Sequence, residues 1–184
     1  MLDTINGLPV HPLVVHAVVV LLPLAVLGTI LVAVLPRWRA RYGGLNALVA
    51  VIATALCPIA TSSGEALEHR VGDPGAHAEL GDQLVWFALP MTLLAIVLWW
   101  VQRRHRADTP DVTAVTADAA DDTKDPGARG RGPRAVRGLG VVAVLSVVAA
   151  VAAGVQVYRV GDSGAEAVWA DQMTSAPAQA GSGD

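Results

Sequence analysis

Residues 12–35 read PLVVHAVVVLLPLAVLGTILVAVL, an apolar run without acid, lysine or arginine and with one histidine inside it. At 1.5 Å per residue this stretch spans a hydrocarbon core of roughly 30 Å, so it reads as a transmembrane helix. An ionisable side chain is costly at membrane depth, so His16 demands an explanation.

Composition points the same way. Of 184 residues, 53% are hydrophobic and 16% are charged, where a soluble domain carries about a quarter charged. The net charge of −3 conceals a strong polarity along the chain. Cys57 is the single cysteine, which excludes an intrachain disulfide and any cysteine-based zinc or iron–sulfur centre; within an apolar run it reads as a small buried thiol. The bias towards arginine, alanine, valine and glycine suggests a bacterial protein.

Three more uncharged apolar runs follow, at 45–63, 84–101 and 138–158. A strand would leave its backbone groups unpaired in lipid, so all four are expected to be helices. The expected fold is an all-α integral membrane protein, a four-transmembrane-helix bundle. Arg37, Arg39 and Arg41 follow the first span; Arg103, Arg104, Arg106, Arg129, Arg131, Arg134 and Arg137 lie between the third and fourth. The positive-inside rule makes both connections cytoplasmic and turns both termini outward, N-out/C-out, in a bacterial inner membrane. The connection between spans 2 and 3 instead carries Glu65, Glu68, Asp73, Glu79 and Asp82 against Arg70. Trp38, Tyr42, Trp99 and Trp100 fall at the inner boundary and Trp86, Tyr158 and Trp169 near the outer one, as interfacial belts do. Asp3 and the lack of a base before span 1 favour an uncleaved first helix over a secretion signal.

Residues 1–106 thus hold three spans, with an outer helical hairpin tip near 64–83. Segment 107–133 reads as a flexible cytoplasmic linker, 134–173 as the fourth span plus a short outer helix, and 174–184 as a disordered tail. Helices over about 44–70 and 74–104 would project roughly 10 Å beyond the bilayer, with Asp73 as N-cap before Pro74. No internal repeat is evident. Pro23, Pro58 and Pro90 lie inside spans, as proline often does in membrane helices. Ala149/Ala153 and Ala150/Gly154 supply spacings for close helix approach.

Polar side chains gather at the outer end. His11 and His16 open span 1; Glu65 and His69 follow span 2; His77 precedes span 3; Asp162, Ser163 and Glu166 follow span 4. Glu65 and His69 share a helix face, and a carboxylate beside an imidazole is the usual device for orienting a metal ligand. A solvent-exposed ion pair is the plainer account of that pair, as a capped or hydrated ring is of His16. Ser163 with Glu166 fits a capping box for the short outer helix.

The stretches GLPVHPLVVHAVVVLLPLA (7–25), PRWRARYG (36–43), ATSSGEALEHRVG (60–72), HAELGD (77–82) and VYRVGDSGAEAVW (157–169) resemble landmarks of a bacterial membrane family known as domain of unknown function 2231. The resemblance implies a four-helix membrane protein with no assigned activity. It also implies a histidine in the last motif, as GHSGA, where this chain has Asp162.

From the residues, the leading expectation is a histidine-rich extracytoplasmic site for haem b or a transition metal ion, serving redox or electron transfer. His11, His16, His69 and His77 are the candidate cofactor ligands; His16, His69 and His77 with Glu65 are the candidate metal set; Asp162, Ser163 and Glu166 are further polar candidates. The alternatives are a non-enzymatic accessory or structural subunit and a small transporter or channel component. No phosphate loop or nucleophile–base pair suggests a stand-alone enzyme. The expected partners are the lipid bilayer and a membrane protein or a second copy, not nucleic acid.

Overall fold

Hydrocarbon offers no hydrogen bonds, so a chain that enters it must satisfy its backbone internally, and this chain does so with helices. The computed structural model describes the backbone of residues 4–5, 8–71, 75–107 and 133–174, and side chains over 10–67, 75–104 and 138–166 and at Trp169. Two-residue strands β1 (Thr4–Ile5) and β2 (Leu8–Pro9) pair antiparallel ahead of four helices. These are α1 (Val10–Val34), α2 (Pro36–Val71), α3 (Ala76–Ala107) and α4 (Pro133–Thr174). All four are long and apolar enough to cross a membrane. Their 25, 36, 32 and 42 residues correspond to about 37 to 63 Å of helix.

Each helix runs antiparallel to its neighbours. α1 packs on α2, α2 on α3, α3 on α4 and α4 back on α1, which leaves α1 and α3 diagonal. The starts of α1 and α3 and the ends of α2 and α4 therefore share one end of the bundle, here termed the histidine end. The opposite, arginine end carries Arg37, Arg39, Arg41, Arg103 and Arg104.

Three expectations change. The basic segment after span 1 is not a loop: α2 already begins at Pro36, and Leu35 alone separates the helices. Pro36 lacks an N–H, which breaks the ladder there. Arg39 donates from Nε to Val32 O at 2.8 Å and from Nη2 to Ala33 O, closing the carbonyl end of α1. This explains why an arginine can be 7% exposed. Nor is there a separate outer helix after span 4, because α4 runs unbroken to Thr174. Ser163 is then inside a helix, and its hydroxyl bonds back to Val160 O at 3.0 Å instead of capping a new one. The Asp73–Pro74 helix start and the linker over 108–132 lie outside the described residues; Gly75, at φ +61°, directly precedes α3.

Leu22, Met91 and Leu98 fill the interior with alanines around them, and many large apolar side chains face outward. On α4, Val141, Val144, Val148, Val151 and Val155 form an exposed stripe, while Ala150 and Ala153 are fully buried. Lipid supplies no hydrophobic drive between helices, so close backbone approach and polar bonds hold them. The polar bonds are distributed around the bundle. Asn46 donates to Thr29 Oγ1 (2.9 Å) between α1 and α2. Thr92 donates to Ala50 O (3.2 Å) and lies 2.8 Å from Thr54 Oγ1 between α2 and α3. Gln156 donates to Leu80 O (3.0 Å) between α3 and α4.

The chain also repeats itself, contrary to expectation. Shifting α1 by 66 residues maps buried Val18, Leu22, Ala25, Thr29 and Val32 onto Leu84, Ala88, Met91, Ala95 and Leu98, all buried. Shifting α2 by 100 maps Asn46, Ala50 and Ala53 onto Ser146, Ala150 and Ala153, again all buried. Contacts between the halves follow the same rule. Val26 of α1 closes over Gly154 of α4, and the shifted pair is Thr92 of α3 with Thr54 of α2. The hairpins α1–α2 and α3–α4 are thus parallel repeats, related by a pseudo-twofold axis along the bundle.

Gly28 tests the packing. A Cβ there would overlap the Asn46 side-chain amide oxygen, so the amide must leave Thr29 to make room. Gly28→Ala should cost about 1–3 kcal/mol, read as a lower melting temperature in detergent, and Asn46→Ala should remove most of that added penalty.

Candidate functional site: paired imidazole clamps at the histidine end

His11 sits in the first turn of α1, and its ring is half-buried against the last third of α2. Nδ1 lies 3.0 Å from Ala60 O and 3.1 Å from Ser63 Oγ. Ser63 donates its own hydroxyl to the same carbonyl at 2.9 Å. A carbonyl can only accept, so Nδ1 carries a proton, and in the neutral ring the lone pair is on Nε2. Gly64 makes the approach possible: a Cβ there would stand 3.0 Å from His11 Cε1.

The second repeat builds the same clamp. His77, in the first turn of α3, places Nδ1 3.1 Å from Val160 O and 3.3 Å from Ser163 Oγ on α4. A Cβ at Gly164 would stand 3.0 Å from His77 Cε1. The 66- and 100-residue shifts map His11, Ala60, Ser63 and Gly64 onto His77, Val160, Ser163 and Gly164. Each ring bridges two helices of one hairpin, and no described residue accepts from or donates to Nε2 of either. Anchoring Nδ1–H on a backbone carbonyl is how proteins orient an imidazole that ligates through Nε2.

The other candidates take different places. His16 turns its exposed ring back on its own helix, Nδ1 to Pro12 O at 2.6 Å, which is the capped ring that the sequence offered as its plainer account. Glu65, Asp162 and Glu166 are exposed. The ring of His69 lies outside the described residues, so its pairing with Glu65 does too. Among the described residues no three His, Cys, Asp or Glu side chains gather closely enough to hold an ion. His16, His77 and Glu65 are therefore not brought together as a metal set. Ser163 does join His77, in a clamp and not as a helix cap.

Sequence reasoning missed Ser63, Gly64 and Gly164 as parts of the site. The signal was there in Ser-Gly at 63–64 and at 163–164, each placed late in the second helix of a hairpin that opens with a histidine. Cys57 is buried as expected, with Sγ directed to Ala53 O at 3.4 Å.

Bulk at either glycine should push its ring off the carbonyl. Gly64→Val and Gly164→Val are expected to lose similar stability, about 1–3 kcal/mol each. In 15N-histidine spectra of the micelle-bound protein, His11 and His77 should show protonated Nδ1, and each valine variant should disturb its own ring only.

Neither curated proteins nor solved structures give a match. A family described as "Predicted membrane protein (DUF2231)" matches residues 7–177. The match takes in both hairpins and both clamps, and the chain belongs to that family of membrane proteins of unknown function.

Proposed function

We propose that this protein binds a haem or a transition metal ion at the histidine end, ligated through Nε2 of His11 and His77, and serves redox or electron transfer with a membrane partner. One observation carries the reading: both rings are held by Nδ1–H on a backbone carbonyl, which leaves a basic Nε2 on a fixed ring. Two imidazoles suit axial ligation of haem iron, and imidazole also suits copper and zinc. His69 remains a further candidate ligand through its helix-face relation to Glu65. Asp162 stands beside Ser163, where relatives carry histidine by the family resemblance, so the second clamp here has a carboxylate in place of that ring.

The positive-inside rule puts the arginine end in the cytoplasm of a bacterial plasma membrane and the histidine end outside it, with both termini outward. A second reading is an accessory subunit in which the histidines only pin helices, favoured by the same bonds, since each ring already joins two helices. A transporter finds less support: of the buried polar groups described only Arg39 is charged, and it is taken up by the carbonyl end of α1, while Thr29, Asn46, Thr54, Thr92, Ser146 and Gln156 carry no charge and are hydrogen-bonded.

The deciding measurement is an absorption spectrum with elemental analysis of detergent-purified protein expressed with haem precursor and trace metals. Bound haem or stoichiometric metal, lost or halved in His11→Ala and in His77→Ala but kept in His16→Ala, supports ligation. A folded protein without a Soret band or bound metal rejects it and leaves the accessory reading.

Topology has its own test. A cysteine at exposed Glu79 should react with an impermeant maleimide in intact cells, and one at exposed Arg103 should react only after lysis, with buried Cys57 silent in both. The reverse pattern would place the histidine end in the cytosol.

A further inference from the structure

We propose that the α2–α3 crossing at the arginine end is a binding site for an anionic phospholipid headgroup. Gly44 opens the face of α2 to Trp99 of α3: a Cβ there would stand 2.9 Å from the indole Nε1. The indole therefore lies in a slot that only glycine leaves. Residues 37, 41 and 44 fall on one stripe of α2, and 99 and 103 on one stripe of α3, so Arg37, Arg41 and Arg103 border the same crossing.

Among the described residues no acidic side chain balances the charges there. Arg37, Arg41, Arg103 and Arg104 are exposed, and every acidic side chain among those described (Glu65, Glu79, Asp82, Asp162 and Glu166) belongs to the histidine end. Three of these guanidiniums lie over rings: Arg104 is 3.5 Å from the Trp100 centroid, Arg103 5.6 Å from that of Trp99, and Arg41 5.5 Å from that of Tyr42. Stacking limits their motion, which lowers the ordering cost of a bidentate bond to phosphate. Trp99 Nε1–H has no acceptor among the described residues and can donate to an ester or phosphate oxygen.

The surroundings select a lipid over a soluble phosphate. Next to the crossing, the exposed side chains of Leu45 and Leu48 on α2 and Leu93 and Val97 on α3 offer an apolar bed for acyl chains. Exposed Trp38 and Trp100 suit the headgroup boundary.

The experiment uses the full chain, purified in mild detergent and exposed to equal phosphatidylglycerol and phosphatidylcholine of identical acyl chains, with retained lipid read by native mass spectrometry. Phosphatidylglycerol should be retained preferentially, and Arg41→Gln and Arg103→Gln should each reduce that preference about fivefold. Arg159→Gln, at the other end, should leave it unchanged. Equal retention of the two lipids, a preference that survives both crossing substitutions, or an equal loss on Arg159→Gln would overturn the site. A crossing already filled by the aspartates of segment 108–125 would give equal retention in the intact chain, and that too would overturn it.

Discussion

The structure depends on the absence of hydrogen-bonding solvent around most of its surface. Within hydrocarbon a free carbonyl or amide costs several kcal/mol, and burying apolar groups between helices gains nothing over leaving them in lipid. The few polar side chains in this bundle follow from that. Arg39 closes the end of α1 where Pro36 breaks the chain. Asn46, Thr92 and Gln156 each tie one helix to the next. A bond of this kind contributes about 0.6 kcal/mol on average in membranes, so none holds the bundle alone. Register comes from their number and from the alanines and glycines that let backbones approach.

The same constraint makes the histidine clamps informative. A ring at a helix start could bond to water, yet His11 and His77 both reach across to a carbonyl of the partner helix in a segment where serine and glycine recur. That arrangement fixes the orientation, the tautomer and the free nitrogen together. The price is paid in sequence freedom: Gly64 and Gly164 cannot carry a side chain without moving the ring.

Much of the fold was legible because hydropathy and length act on whole segments. Four spans, their helical state and the separation of acids from arginines follow from runs of twenty residues, where single exceptions do not matter. The helix ends were less legible. The arginines after span 1 read as a loop because nothing local signals that Leu35 suffices for a turn, or that Arg39 serves the helix before it. The repeat was hidden for a physical reason: in lipid the outward positions accept any large apolar residue, and equivalent inward positions exchange large for small, as Leu22 with Ala88 and Ala25 with Met91 do. Val26–Gly154 and Thr92–Thr54 occupy equivalent positions with different chemistry, so alignment by residue identity misses what burial reveals. The candidate site was legible as a collection of histidines and illegible as a geometry, because Ser63 lies 52 residues from the ring it meets.

Repetition within one chain separates what the clamp requires from what merely stands near it. Histidine, carbonyl, serine and glycine occur in both halves, and the distances from Nδ1 to carbonyl and hydroxyl agree to within 0.2 Å. Their neighbours do not recur. The shift that carries His11 to His77 carries His16 to Asp82, and the one that carries Ser63 to Ser163 carries Ser62 to Asp162 and Glu65 to Ala165. A ligand set containing His16 or Glu65 would therefore exist in one half only, whereas a set built on the clamped rings exists in both. The two halves offer the same imidazole in different company, with more carboxylates around the second. Any difference in what the two ends of the repeat bind must arise from those unrepeated side chains, since the clamp itself is the same in each.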